Sequence, residues 1–377
     1  MKLIQLLLSL ASVISLICGK FIYNRRHTLS RSKHSTIHSN ELTVIIPARD
    51  EAQRLPHLLR SLTKQHGIYE IIVMDDASQD GTSEVAKAYG ATVYETKEDS
   101  QWYGKSHACY QGAQHVQTPL MMFVDADVIF NSHAIEAILN SFAKQGNQGL
   151  LSIQPYHETF KFYESLSAIF NLMTIVGMNR FSSLAGKFNN YTAFGPVTIM
   201  NKEDYFKTGG HKNARNTIIE GFALGEAFSQ SNLPVTVYEG SEYVKFRMYE
   251  EGLRSLIQGW TKHFSVGANQ TEPKVMLAIV MWLMGSLTST MALLLGWIAK
   301  PISLIFSGIV YILYTWEFVS LHRRVGAFSI ILLILHPILF VFFIIIFINS
   351  WRHAHFSKKV KWKGCLLYAS PSPRDLS

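Results

Sequence analysis

Cysteine is nearly absent: Cys18, Cys109 and Cys365 are scattered over 377 positions. That spacing excludes a disulfide scaffold and a cysteine-based zinc site. Charge is scarce too. Charged residues make up 16% of the chain, below the ~25% of a typical soluble domain. Together with 48% hydrophobic residues and a mean hydropathy of +0.12, this excludes both intrinsic disorder and a chain that is soluble throughout. Acids are the rarer sign, 27 against 35 bases, for a net charge of +8. Such a balance suits nucleic acid, an anionic membrane face or a phosphate-bearing ligand. No nucleic-acid recognition motif accompanies it, so no such partner is expected.

The apolar excess is concentrated in four runs. Leu3 to Gly19 is almost uncharged and is followed by Lys20, Arg25, Arg26, Arg31 and Lys33. Val275 to Ala299 carries no charge, and at ~1.5 Å per residue it exceeds a bilayer core of ~30 Å. Ile302 to Trp316 is shorter, ended by Glu317 and His322-Arg323-Arg324, and Phe328 to Ile348 is ended by Trp351 and Arg352. These runs predict an amino-terminal span (1–22), a basic juxtamembrane linker (23–40) solvated at the headgroups, and two to three spans within 275–350. A cleaved signal peptide is the alternative for the first run. It is disfavoured because no small-x-small site precedes Lys20. The Lys/Arg bias puts residues 20–274 in the cytoplasm. The basic stretch Arg352, Lys358, Lys359, Lys361 and Lys363 does not fit, since an even number of later crossings is needed. Either one run is re-entrant or the bias fails at this end. A transporter is disfavoured because the runs show no intramembrane charge pair and no inverted repeat.

Residues 41–265 read as an α/β unit. Short apolar runs at Leu42–Ile46, Ile71–Met74, Ala91–Tyr94 and Leu120–Val124 alternate with helical patterns at Glu51–Thr63 and Thr82–Tyr89. That alternation predicts a parallel sheet of Rossmann type with its ligand at the carboxyl ends of the strands. Acids stand there. Asp75-Asp76 ends one strand, and the repulsion of adjacent carboxylates calls for donors such as a base N–H or ribose hydroxyls. The alternative is an Asp/Ser-rich turn capping the next helix, a role that also suits Asp80 and Thr82. Asp125-Ala126-Asp127 ends another strand. Residues two apart on extended chain share a side, making a hard-oxygen site for Mg²⁺ or Mn²⁺ bridged to a diphosphate. Gly104-Lys105-Ser106 is not a P-loop, because the required earlier glycine is Asp99. Lys105 still offers a point charge to a phosphate.

Ile45-Ile46-Pro47-Ala48-Arg49-Asp50-Glu51, Asp75-Asp76 with Ser78 and Asp80-Gly81-Thr82, Gly104-Lys105 and Asp125-Ala126-Asp127 together resemble the family 2 inverting glycosyltransferases of GT-A fold. The resemblance implies that Pro47, Ala48, Arg49, Glu51, Asp75 and Asp76 hold uridine and that Lys105 lies near the nucleotide. It also implies that Asp125 and Asp127 hold ribose and a divalent metal, Mg²⁺ or Mn²⁺. Within the family the chain is similar to bacterial carotenoid-acid glucosyltransferases. Trp102–Gly112, Ser167–Met173, Ala193–Val197, Ile219–Gly225 and Gly259–His263 carry that likeness. It implies UDP-glucose as donor, a lipid-soluble carotenoid acid as acceptor, and membrane lipids and other carotenoid-pathway enzymes as partners. The implied location is a bacterial cell membrane, crossed several times, with the catalytic domain cytoplasmic.

Departures from the family matter. Many members carry Glu-Asp where this chain has Glu220-Gly221, so the usual base is missing. A carboxylic acid acceptor is already ionised at neutral pH, its pKa lying near ~4–5, and needs no strong base. Glu220 and Asp127 remain the catalytic candidates, Glu220 orienting acceptor or sugar unless it is only a helix-start acid. The Q-x-x-R-W pattern of processive members is incomplete at Gln258-Gly259-Trp260-Thr261-Lys262-His263, favouring single-sugar transfer. Lys262 and His263 are candidates to face the diphosphate or anionic headgroups. Phe162 to Met178 is a buried helix, an interfacial helix lining an acceptor groove, or a span. Residues 365–377 lack periodicity and are expected to be a disordered, non-native tail. Competing readings are transfer to polyprenyl phosphate or diacylglycerol, and a membrane scaffold that senses nucleotide sugar.

Overall fold

The computed structural model describes residues 2–31, 41–97, 99, 102–187, 192–215, 217, 220–268, 271–298, 301–352, 359–362 and 365–368. Residues 32–40, half of the basic linker, and the side chains of Lys262 and His263 lie outside the described residues. The chain forms two compact units, an α/β unit of residues 26–156 and 191–247 and a helical unit of residues 1–25, 157–190 and 248–377. The block expected at 41–265 is thus shared between them.

The strands are β1 (Leu42–Ala48), β2 (Ile68–Asp75), β3 (Thr92–Glu95), β4 (Leu120–Val124), β5 (Val128–Phe130), β6 (Leu150–Gln154), β7 (Tyr156–His157), β8 (Val197–Asn201), β9 (Val235–Glu239) and β10 (Val244–Phe246), and all but β7, which ends at the unit boundary, lie within the α/β unit. The main sheet has the order β3-β2-β1-β4-β8-β6-β9. Its first four strands are parallel, as the continuous apolar runs predict. The second half departs from a Rossmann sheet, because β8 runs antiparallel to both β4 and β6. Pro47 is tolerated in a central strand because β4 pairs with β1 only through Ile45. Strand β5 pairs antiparallel with β10 beside this sheet.

Helix Lys105–His115 lies against β1 and β2 on a face of small side chains, Ala108, Cys109, Gly112 and Ala113, all buried. Gly112 sets the approach. A Cβ there would stand 2.6 Å from Ile45 Cγ2 and 2.8 Å from Met74 Cγ. Gly112→Ala is therefore expected to destabilise the unit by about 1–3 kcal/mol through overpacking, read as a lower thermal midpoint of the detergent-solubilised protein. An unchanged midpoint would show that the helix can lift without cost.

Among the described residues of the helical unit, three helices are long and apolar enough to cross a membrane: Leu3–Ile22, Pro273–Ile298 and Ser303–Val325. The first is integrated rather than peripheral. Ser15 Oγ donates to Trp282 O (2.7 Å), Ser12 Oγ bonds Thr288 Oγ1 (2.9 Å) and Gln5 Nε2 donates to Ser303 O (3.0 Å). Gly285 lets Ser15 and Tyr314 close in, the small-residue contact common between membrane helices.

Two sequence expectations change here. The run Ile302–Trp316 belongs to a longer helix, Pro301–Val325, which continues past Glu317. Glu317 is turned inward, 2% exposed, with Lys20 Nζ at 3.9 Å, so the bundle does contain a charge pair. The fourth run is not one long span. It breaks at Leu335 into Ile330–Ile334 and His336–Arg352, because Pro337 has no N–H to bond the Leu333 carbonyl and its ring crowds the preceding turn.

Phe162–Met178 resolves into a 3₁₀ turn, Phe162–Ser167, and a buried helix, Ala168–Gly177. Phe170 stacks on Trp260 (5.1 Å) and meets Phe343 (5.0 Å). The tail begins with order rather than irregular chain. Lys359–Trp362 pairs antiparallel with Cys365–Tyr368, and residues 369–377 lie outside the described residues.

Candidate active site

Strands β1, β2 and β4 are parallel, so their carboxyl ends open at one edge of the sheet. The loops leaving β1 and β2 are tied together there. Asp50 N donates to Ser78 Oγ (3.0 Å), Gln79 N to Asp50 Oδ1 (2.9 Å), Glu51 N to Thr82 Oγ1 (2.9 Å) and Ala52 N to Asp80 Oδ2 (3.0 Å). Asp80 and Thr82 are struts, as the turn reading expects.

The adjacent acids divide their work. Asp75 is buried and satisfied by its own turn, its carboxylate accepting from Ser78 N (2.8 Å) and from the Ser83 hydroxyl. Asp76 is the more exposed. Its Oδ1 accepts from Thr96 Oγ1 (3.0 Å), and its Oδ2 stands 3.7 Å from Arg49 Nη1. Glu51 holds Arg54 at 3.3 Å. Beside Asp76 lies a groove of about 640 Å³ lined by Ser78, Thr96, Lys97, Trp102 and Tyr103. Sequence reasoning gave these side chains no role. Their signal was the aromatic pair before Gly104, whose positive φ of 81° starts the helix that Lys105 opens.

Lys105 sits among carboxylates. Its Nζ is 2.6 Å from Asp125 Oδ1 and is ion-paired with Glu220 Oε1. Burial alone would depress the lysine, but Asp125 and Glu220 outweigh it and hold the ammonium well above the usual range. Glu220, the first residue of helix Glu220–Gln230, is likewise pulled against its burial by Lys105, and its pKa falls below the ordinary carboxyl value. The other two acids move upward. Burial raises Asp125 to about 6, although Lys105 opposes the rise. Burial and then the charge of Asp125 raise Asp127 to about 7. Lys105 is paired with both Asp125 and Glu220, and Glu220 gains more from it, while Arg54 is the larger favourable charge at Asp127.

Asp125 and Asp127 come together by a route other than strand alternation. Strand β4 ends at Val124, and Val128 N donates to Asp125 O (3.2 Å), closing a turn over Ala126 and Asp127. Asp125 N donates to Pro196 O (2.9 Å) and Arg247 N donates to Asp127 O (3.4 Å), fixing the turn at both acids.

Residues 43–207 match the family Glycosyl transferase family 2. The 4,4'-diaponeurosporenoate glycosyltransferases of Staphylococcus aureus strains MRSA252 and USA300 are each 52% identical to this chain over 367 residues, 97% of it and 98% of the relative. The chain belongs to glycosyl transferase family 2. Its fold is similar to that of a mannosyltransferase from Pyrobaculum calidifontis solved with GDP-Man and Mn²⁺, with a TM-score of 0.51 at 14% identity, covering 94% of this chain and 99% of that one.

For a family 2 transferase the acid pair suits a divalent metal. Among the described residues no group of three or more His, Cys, Asp or Glu forms a metal cage. Two carboxylates are nonetheless what Mg²⁺ or Mn²⁺ needs when waters and substrate phosphate complete the shell. Burial, the main cause of the upward shifts at Asp125 and Asp127, penalises their ionised forms, and a bound cation offsets that penalty. Gly221 explains the missing aspartate of this transferase. A Cβ there would fall on the carbonyl oxygen of Ala193 and come 3.3 Å from Gly195 N. The packing leaves no room for a side chain.

Proposed function

We propose that this transferase moves glucose from UDP-glucose to the carboxylate of 4,4'-diaponeurosporenoate, giving the glucosyl ester with inversion. The observation that carries the reading is 52% identity along 97% of the chain to enzymes named for that acceptor. The site chemistry agrees with it. An acceptor carboxylate oxygen attacks C1 of the sugar, the bond from C1 to the diphosphate oxygen breaks, and UDP leaves with the electron pair. No proton has to be removed, which suits a site with Gly221 in place of a base and with Glu220 already paired to Lys105. Asp76 and the groove beside it receive the nucleoside. Lys105 offers its ammonium to the diphosphate. Asp125 and Asp127 hold the metal, which when bound neutralises charge on the leaving group.

The test is to incubate membranes containing the full chain with UDP-glucose and the purified C30 acid. A glucosyl ester detected by mass is the expected result. Transfer to polyprenyl phosphate or diacylglycerol with none to the acid overturns the acceptor assignment, and transfer from another nucleotide sugar alone overturns the donor.

A further inference from the structure

We infer that residues 327–352 form a re-entrant hairpin that dips into one leaflet and leaves by the face it entered. The first limb starts at a pinned turn. Helix Pro301–Val325 ends with Gly326 N donating to His322 O (3.0 Å). Ala327 N then donates to His157 O (2.8 Å), Thr159 Oγ1 to Ala327 O (2.7 Å) and Ser329 N to Ser165 Oγ (2.9 Å).

The tip lies deep. Tyr311 OH donates to Ile334 O (3.2 Å), and His336 is clasped by Ser286 Oγ at Nδ1 (2.7 Å) and Thr315 Oγ1 at Nε2 (3.2 Å). Thr315 and Tyr311 precede Val325 by ten and fourteen residues, about 15 and 21 Å of helix at 1.5 Å per residue. That is roughly half to two thirds of a ~30 Å core. Broken backbone at such depth is tolerated only inside protein, with its polar groups satisfied, and Tyr311 bonds the carbonyl just before the break.

The second limb returns. At the end of His336–Arg352, Ser350 Oγ donates to Thr261 O (2.7 Å) and Asn349 Nδ2 to Thr261 Oγ1 (3.3 Å). The neighbour of Thr261 is Trp260, whose Nε1 donates to Ser167 Oγ (3.1 Å), two residues from the Ser165 that holds the hairpin's start. Both feet therefore stand on one cluster, whereas a crossing would separate them by ~30 Å.

The surface fits a lipid leaflet. Ile338, Val341, Ile345 and Ile348 form an exposed stripe with steps of three, four and three, while Leu339, Phe343 and Ile346 are buried on the other side. Phe160 and Phe162, 71% and 62% exposed, flank Lys161 on the loop tied to the hairpin's base, where aromatic and basic residues meet headgroups. The hairpin also returns Arg352 to the face of His322-Arg323-Arg324.

The test uses the full chain in its membrane, with Cys18, Cys109 and Cys365 replaced by alanine. Single cysteines at Ala299, Ala327 or Ala354 are treated with an impermeant maleimide before and after the cells are opened. The expected result is that Ala327→Cys and Ala354→Cys label on one side and Ala299→Cys on the other. Labelling of position 354 with 299 overturns the hairpin, as does labelling of 327 with 299. If 327 and 354 label together in intact cells, the hairpin stands with its feet on the outer face. Should the cysteine-free chain fail to accumulate, fusions of alkaline phosphatase and of green fluorescent protein after positions 299 and 354 read the same sides. Opposite reporters active at the two positions support the hairpin, and the same reporter active at both overturns it.

Discussion

Asp127→Asn lowers turnover by at least the ~10²-fold expected when a preorganised electrostatic group is lost, while the thermal midpoint of the metal-free protein does not fall. The two outcomes share a cause. Asp127 carries an unfavourable charge, raised to about 7 by burial and by Asp125. A carboxyl whose folded value lies above its unfolded value favours the fold while protonated, and that advantage fades as pH rises. Between the ordinary carboxyl range near ~4 and the folded value near 7, the metal-free wild type therefore loses stability. The substitution removes that loss together with the ligand charge. Excess EDTA on the wild type gives the same drop in turnover, reversed by Mg²⁺ or Mn²⁺. Full activity in EDTA, or a variant that turns over normally, sinks the metal assignment at Asp125 and Asp127.

Gly221→Asp abolishes activity instead of extending it to alcohol acceptors. Restoring the aspartate common in the family looks, from sequence alone, like a way to supply a base. The structure gives the opposite outcome, because the new Cβ must displace the Ala193 carbonyl next to Gly195. Small-to-large changes at such contacts cost ~1–3 kcal/mol or more, and here the shift falls on the segment against Glu220 and Lys105. Glu220→Gln behaves differently. It keeps shape and a hydrogen-bonding group, so its loss stays well below the ~10²–10⁴-fold of a removed general base. The wild-type rate stays level from near neutrality down to roughly pH 5, where the acceptor itself protonates on the carboxyl reference values. Efficient glucosylation of an alcohol analogue by wild type, lost in Glu220→Gln, would make Glu220 a base and overturn this account.

How far the site was legible depended on which side chains do the work. The structure brings Asp125 and Lys105 together, and the sequence signals for them were an acid after an apolar strand and a lysine following Gly104 at a helix start. Alternation along a strand does not set the acid pair, since β4 ends at Val124 and both acids lie in a turn closed by Val128 N on Asp125 O. Asp75 shows the limit of the reasoning. From sequence it is indistinguishable from Asp76, yet it faces inward to Ser78 and Ser83. The groove residues Thr96, Trp102 and Tyr103 carried too weak a local pattern, because their convergence depends on how β3 and the following helix meet in space. The parallel half of the sheet followed from its apolar runs. The antiparallel β8 did not, since strand direction leaves no trace in a five-residue apolar segment. In the membrane the broken fourth run was signalled by Pro337, which length and hydropathy alone overlook.

The helical unit is assembled from three separated stretches of chain, 1–25, 157–190 and 248–377. This has a consequence for biosynthesis and for anyone trimming the protein. When the ribosome has delivered the first 200 residues, the apolar helix Ala168–Gly177 has none of its later partners, because Trp260 and Phe343 have not yet been made. The nascent chain must shelter that helix, in lipid or on a chaperone, until its last quarter emerges. A fragment ended near residue 265 keeps the helix but loses Phe343, leaving a sticky surface beside the apolar helix Leu3–Ile22. The excisable block is instead discontinuous, 26–156 joined to 191–247, and a short polar linker across that gap is the truncation with the best prospect of staying in solution.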